Sequence, residues 1–237
     1  MTMPRPLTLL IGFALLTALP FALVSALQGI DGLDMAQAEP TRFLHPEDGA
    51  ASRALFVHMI AGAAVTLLAL LQPVAAIRDR WPRVHRVSGR IVVFGALLTA
   101  AGGLTYIARQ GTIGGAGMSA GFALYGVLLA GAAIMTLRHA GRDIARHRRW
   151  GLRLTWLAIG SWLYRVQYGL WHAASGGAGS TPSFDGPFDQ AMFVGFFLPH
   201  LILLEIYLRR RPGPAAPPQG AIRPPPPREG TRSLQKG

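Results

Sequence analysis

The chain contains no cysteine. Disulfides, thiolate metal sites and cysteine nucleophiles are therefore excluded. Lysine is nearly missing, with Lys236 its single instance. Charge of either sign is scarce at 14% of residues, where a soluble domain carries about a quarter. Acids are the rarer sign, 11 against 23 basic residues, for a net charge of +12. The sets that would announce hydrolysis are also missing. There is no Ser/His/Asp constellation, no His-Glu-x-x-His and no pair of carboxylates inside an apolar run. GTIGGAG at 111–117 follows no strand pattern and precedes no Gly-Lys-Ser/Thr, so it does not read as a phosphate loop. No motif names a reaction or a ligand outright.

What is abundant is apolar sequence, 51% of residues, gathered into runs of membrane-spanning length. An apolar run of about 20 residues is what a bilayer core requires of a helix. Six such runs are present, at 7–27, 54–77, 91–108, 120–137, 152–171 and 191–208. The first is open to a second reading as a cleaved signal peptide, with Ala36-Gln37-Ala38 downstream. Its length favours a retained helix.

The arginines sort these runs. The stretch RDRWPRVHRVSGR holds Arg78, Arg80, Arg83, Arg86 and Arg90 against one acid, Asp79. A second stretch, RHAGRDIARHRRWGLR, runs from Arg138 to Arg153. A third cluster, Arg209 to Arg211, closes the last run. Loops rich in Arg stay on the cytoplasmic side, so the alternation gives six spans with both termini cytoplasmic. The expected location is a cell's inner (plasma) membrane. A basic chain can also mean nucleic acid. Here the cations crowd the ends of apolar runs, which fits anionic lipid headgroups and not a nucleic-acid surface. Arg78, Arg80, Arg86, Arg90, Arg148 and Arg149 are the candidate headgroup contacts. Oligomeric state is not readable.

The chain thus divides into three regions. Residues 1–53 hold the first helix and an outer loop, 28–52. Residues 54–208 form a five-helix core. Residues 209–237 form a tail rich in Pro and Arg, read as disordered and cytoplasmic. The fold class is an all-α integral membrane bundle of about six transmembrane helices. His85-Arg86-x-x-Gly89-Arg90 is echoed by His147-Arg148-x-x-Gly151-x-Arg153, and Tyr106 and Tyr168 lie equally far beyond the two histidines. One reading is a duplicated two-helix unit; the other is that any cytoplasmic turn attracts arginine and small residues.

The run Phe56-Val57-His58 with Gly62, then Gln72-Pro73, then Arg78-x-Arg80-x-Pro82-x-x-His85-Arg86-x-x-Gly89-Arg90 resembles a bacterial membrane family, domain of unknown function 2306 (DUF2306). His147-Arg148-Arg149-Trp150-x-x-Arg153, ending at Arg165, is similar to that family's second signature. Gly151 stands where the family has Met, and its aromatic close is replaced by Arg165-Val166-Gln167-Tyr168. The resemblance covers 54–208. It implies a multi-span membrane protein of unestablished activity and directs attention to His58, His85, His147 and Arg165, with Gly89, Trp150 and Arg153 as motif positions.

Ionisable residues inside a membrane helix are expensive, which makes them functional candidates. Arg165 lies about one and a half turns inside the outer end of the fifth run. It either snorkels outward or faces the bundle interior, where it would hold a carboxylate, a phosphate or a haem propionate. Tyr164, Gln167 and Tyr168 make its surroundings polar. His58 and His200 sit in the second and sixth runs. Two imidazoles at equal depth would ligate haem b, but these differ by about 7 Å in depth at about 1.5 Å per residue. An interhelical hydrogen bond is the competing reading for His58. Pro199 is placed to kink the sixth helix and free a carbonyl near His200. His85 and His147, among arginines, read as helix caps or headgroup contacts. Glu205, the acid inside a predicted span, reads as an i,i+4 partner of Arg209, with a proton-relay role as the alternative.

Two function classes remain. The first is a protein with an outward-facing pocket of His58, Arg165, Gln167, Tyr168 and His200 that binds a small ligand or a haem- or quinone-type cofactor. The second is a non-catalytic assembly or interaction protein. A small-solute transporter ranks third, weakened by the shortage of intramembrane acids. Whether the chain is an enzyme is not legible.

Overall fold

The structure is a computed structural model that describes residues 5–34 and 44–210, with side chains from Gly12 onward. The expected disordered tail, from 211, lies outside the described residues. So does the middle of the 28–52 loop. Where the chain is described it is helical, with α1 at Arg5–Leu33, α2 at Gly49–Leu71, α3 at Ala75–Arg80, α4 at Pro82–Gln110, α5 at Gly115–His139, α6 at Ile144–Ala158, α7 at Gly160–Ser175, α8 at Pro187–Gly195 and α9 at Leu198–Arg210. Five helices are long and apolar enough to cross a membrane: α1, α2, α4, α5 and the α8–α9 pair, which spans Pro187–Arg210. This is a helical membrane bundle, as the apolar runs require.

The boundaries shift for local reasons. The first helix runs on to Leu33, six residues past its expected end, and takes in Asp31. The second stops at Leu71 instead of residue 77, because Pro73 has no N–H and its ring crowds the Ala69 carbonyl. The first basic stretch is no loop. Its arginines lie on α3 and on the start of α4, separated by Trp81, whose φ of −129° and ψ of 65° fall outside the helical region that a residue before proline avoids. Pro82 then opens α4, where its missing N–H costs nothing. In the second basic stretch the turn is short. Gly141 takes φ +73°, a left-handed conformation that glycine adopts without strain, and the Asp143 carboxylate caps α6 by accepting from the Arg146 N–H at 2.9 Å.

The packing is that of a chain dissolved in lipid. Buried positions are dominated by small residues: Ala18, Ala69, Ala96, Ala132 and Ala133 are at most 2% exposed. Large apolar side chains point outward, as with Leu16 at 70% and Leu203 at 65%. Lipid tails are as apolar as leucine, so helices gain by close backbone approach and not by hiding leucines. Gly102 shows the closeness: a Cβ there would meet the Ala54 carbonyl at 2.5 Å. The main core joins α2, α4, α5, α6 and α8–α9 around Val65, Ala96, Leu129, Leu157 and Phe196. A second cluster packs α1 on α2 and on the α6–α7 junction through Ala18, Leu70, Ile159 and Trp162.

The fifth expected span is not one continuous helix. It breaks between Ala158 and Gly160, and α6 and α7 have 15 and 16 residues. Two hydroxyls from other helices intrude on its hydrogen-bond ladder. Tyr125 of α5 donates to the Leu157 carbonyl, and Thr66 of α2 donates to the Ala158 carbonyl at 3.2 Å. A side chain inserted into the ladder is a recognised cause of a kink. Gly160 makes room for it, because a Cβ there would lie 2.8 Å from the Tyr125 hydroxyl oxygen. The last span is divided as well, at Phe196–Phe197, three residues before Pro199. Pro199 therefore falls in the first turn of α9, where proline is tolerated, and not inside a continuous helix as expected.

Candidate functional site

At the end carrying the arginines, both motif histidines occupy the fourth position of their helices, α4 and α6. His147 Nδ1 lies 3.0 Å from the Thr136 carbonyl. That carbonyl is one of the last four of α5, which have no intrahelical partner, so His147 caps α5. His85 is close enough to His147 and Arg78 to interact electrostatically with both, and its Nδ1 is buried with no partner from the protein. Gly89 lets Gln72 approach: a Cβ there would lie 3.1 Å from Gln72 Oε1, and Gln72 donates to the Ser88 hydroxyl at 2.8 Å. The Arg153 guanidinium lies 4.6 Å from the Trp150 ring centre and donates to Glu205 at 2.6 Å. Glu205 also accepts from Arg209 at 3.1 Å. The expected i,i+4 pair is present, and the shorter bond, from α6 to α9, was not foreseen. Arg78 pairs with Asp79 at 3.2 Å. Arg80, Arg86, Arg90 and Arg148 are on the exposed or half-buried surface of the same helix ends; Arg149 is half-buried with them.

Within the bundle, His58 Nδ1 lies 2.6 Å from the Thr99 carbonyl of α4. Gly102 and Gly103 allow that contact, since a Cβ at Gly103 would lie 2.9 Å from the same nitrogen. A carbonyl accepts only, so Nδ1 carries the proton and Nε2 keeps its lone pair. The charge that reaches His58 is that of Arg165. Arg165 donates back to the Ser161 carbonyl at 3.0 Å and lies 4.6 Å from the Phe21 ring centre on α1. It pairs with no acid among the described residues. Its side chain is exposed on the surface of the bundle against α1.

Two of the other expected pocket residues, His200 and Tyr168, make their contacts elsewhere. His200 stacks on Trp156 of α6, centroids 5.9 Å apart, with Nδ1 buried and unpartnered. The packing neighbours of α2 are α1, α4 and α6, whereas α9 packs on α6 and α8. Gln167 buries its Oε1 without a protein donor. Tyr168 turns to a different site at the end of the bundle opposite the arginines.

There its hydroxyl donates to Asp189 at 2.7 Å. Asp189 is completely shut from solvent, and it also accepts from the Ser180 hydroxyl at 2.8 Å, the Thr181 N–H at 2.8 Å and the Gly186 N–H at 3.1 Å. No cation pairs with it among the described residues. An ionised carboxylate has about four acceptor positions, and all are used. Above it lies a pocket of about 270 Å³ lined by Tyr168, His172, Ser180, Thr181, Pro182 and Phe184. Phe184 is the one non-glycine with positive φ among the described residues, at 57°, a conformation that costs a bulky residue about 1–2 kcal/mol. Sequence reasoning missed this cup. By sequence Asp189 closes an unremarkable Gly/Ser/Pro-rich stretch, although it folds into the first turn of α8, and nothing local ties it to Tyr168 twenty-one positions earlier.

A second contact at this end was also missed. His45 Nε2 lies 3.2 Å from the Tyr106 hydroxyl. Asp48 caps α2 through the Ala51 N–H at 3.1 Å and takes Arg109 at 2.7 Å and Gln110 at 3.0 Å. Among the described residues no three metal-ligating side chains gather.

No family model, no curated protein and no solved structure matches this chain.

Proposed function

We propose that this chain is a multi-pass protein of a cell's inner membrane, with both termini cytoplasmic, that holds a small oxygen-bearing ligand of quinone type between Arg165 and His58. One observation carries the reading. A guanidinium within an apolar segment meets no acid among the described residues, and its charge reaches an imidazole whose Nδ1–H is tied to Thr99, which leaves Nε2 as the acceptor. Charge in that setting is costly without a partner. Arg165 donates to a ligand carbonyl, and His58 Nε2 accepts from a ligand hydroxyl. Haem b fits less well, because its expected axial pair turns apart, His58 to Thr99 of α4 and His200 to Trp156 of α6. With Tyr168 engaged by Asp189 and His200 by Trp156, the reading narrows to His58 and Arg165. The family resemblance of 54–208 is compatible with it and supplies no chemistry.

The test is the absorption spectrum and the extractable ligand of the detergent-purified protein. Arg165→Leu is expected to insert normally, since a central arginine itself disfavours insertion by about 2.5–3.5 kcal/mol, and to lose the ligand. Arg165→Lys is expected to lose most of it too, because an ammonium does not reproduce the planar fork. Equal ligand content in Arg165→Lys and the unaltered protein removes Arg165 from the site. The topology rests on Arg asymmetry and on His85 and His147 lying at one end. Reporter fusions in 78–90 and 138–153 are expected to read cytoplasmic, and one in 111–117 external. At the cytoplasmic face the arginines of α3, α4 and α6 are read as contacts for anionic lipid, each contributing about 1 kcal/mol. Neutralising several of them is expected to lower the anionic lipid retained through purification.

A further inference from the structure

The cup over Asp189 is separate from the Arg165–His58 pair and has chemistry of its own. Three rings line it. Tyr168 stands between the other two, 5.7 Å from Phe184 and 6.3 Å from His172 by ring centres. Beneath lies a carboxylate sealed from solvent and paired with no cation among the described residues. Three of its four donors come from residues that line the pocket, Tyr168, Ser180 and Thr181, which places the carboxylate directly behind the pocket wall. Residues 173–190 carry Asp185 and Asp189 and no Lys or Arg, in a chain of net charge +12. The cup is thus a locally anionic spot with aromatic walls.

We propose that this cup binds a quaternary ammonium group. Aromatic faces attract cations through the ring quadrupole, and cages of such rings are the usual receptors for methylated ammonium. Tyr168 donates its hydroxyl proton to an anion, which pushes electron density into its ring and strengthens that attraction. The hydrogen-bond accounting selects the kind of cation. Asp189 already accepts from four donors, and Thr181 Oγ1 is engaged with Asp185. A primary ammonium brings three N–H donors that need acceptors. A quaternary ammonium brings none and leaves no donor unsatisfied on entering. The pocket volume of about 270 Å³ admits a trimethylammonium head with its first substituent atoms. Phe184 keeps its left-handed backbone at φ 57° while lining the cup, its ring centre 5.7 Å from that of Tyr168, and strain retained beside a pocket is a mark of a working site. The group is either that of a free solute or the choline head of a lipid at the same surface.

The test is calorimetric titration of the full chain, purified in a maltoside detergent, with tetramethylammonium, choline, glycerophosphocholine and methylammonium chlorides or salts. Tetramethylammonium is expected to bind saturably and at least tenfold more tightly than methylammonium. Choline binding as tightly as glycerophosphocholine identifies a free solute; clear preference for glycerophosphocholine identifies a lipid head. Phe184→Leu, which keeps apolar bulk and removes the ring, is expected to weaken tetramethylammonium about tenfold with thermal unfolding unchanged. Should that variant not fold, His172→Leu removes a second ring and is expected to weaken binding several-fold. Equal binding of methylammonium and tetramethylammonium, no saturable binding of either, or full affinity in a folded ring-deleted variant overturns the proposal.

Discussion

The hairpin of α2 and α4 and the hairpin of α5 with α6–α7 begin alike and end apart. In each, a histidine sits at the fourth position of the outgoing helix and a tyrosine follows equally far along it. At the arginine end the likeness is partial. His147 caps α5 through Thr136, while the Nδ1 of His85 has no protein partner. In the middle they diverge: α4 is unbroken through Leu98, whereas the equivalent place in the second hairpin is Gly160, at the break. At the far end Tyr106 meets His45 and Tyr168 meets Asp189. Equal spacing along a helix sets depth and face. It does not set the partner, which comes from whichever segment packs there.

Four experiments break or sharpen that comparison. The largest effect is expected at Asp189. Asp189→Ala leaves four donors without their acceptor, and each buried donor left unsatisfied costs about 1–3 kcal/mol. The end of the second hairpin away from the arginines should be destabilised by about 4 kcal/mol or more in total, read as thermal unfolding in detergent. His45→Ala, at the matching end of the first hairpin, should cost about 1 kcal/mol. Similar losses for the two would erase the difference between the ends.

Next comes the break. Gly160→Ala drives a methyl group against the Tyr125 hydroxyl, 2.8 Å from the Cβ position, and overpacking of this kind costs about 1–3 kcal/mol. Leu98→Ala, at the equivalent place in the first hairpin but 50% exposed, is expected to cost well under that. Tyr125→Phe removes the hydroxyl itself, for a loss of about 1 kcal/mol. Combined with Gly160→Ala it should cost less than the sum of the two, because the clash and the bond share one atom. Strict additivity, from unfolding curves of the two singles and the double, would mean that the hydroxyl does not hold the break open.

The smallest effect is expected at the caps. His147→Ala loses the bond to the Thr136 carbonyl and should cost about 0.5–1.5 kcal/mol. His85→Ala loses no such bond and should cost less. Hydrogen exchange at the end of α5 should rise only in the first variant. A larger loss for His85→Ala would show that the two motif histidines do the same work after all.

The membrane class and the crowding of arginine at the ends of apolar runs were legible in the chain alone. A bilayer core supplies no water, so each span must satisfy its backbone within itself, and that requirement is written along the sequence as run length. Local stops were legible in principle too, as Pro73 ending α2 shows. What only the tertiary structure decided is everything that joins distant positions. Tyr125 and Thr66 reach from two other helices to break the fifth span. Arg153 finds Glu205 on α9. Asp189 gathers donors from α7 and from the loop before α8. Run length depends on each residue's own preference for lipid or water. Hydrogen bonds between helices depend on which faces meet, and helices that are apolar all round carry no pattern that says which face that will be.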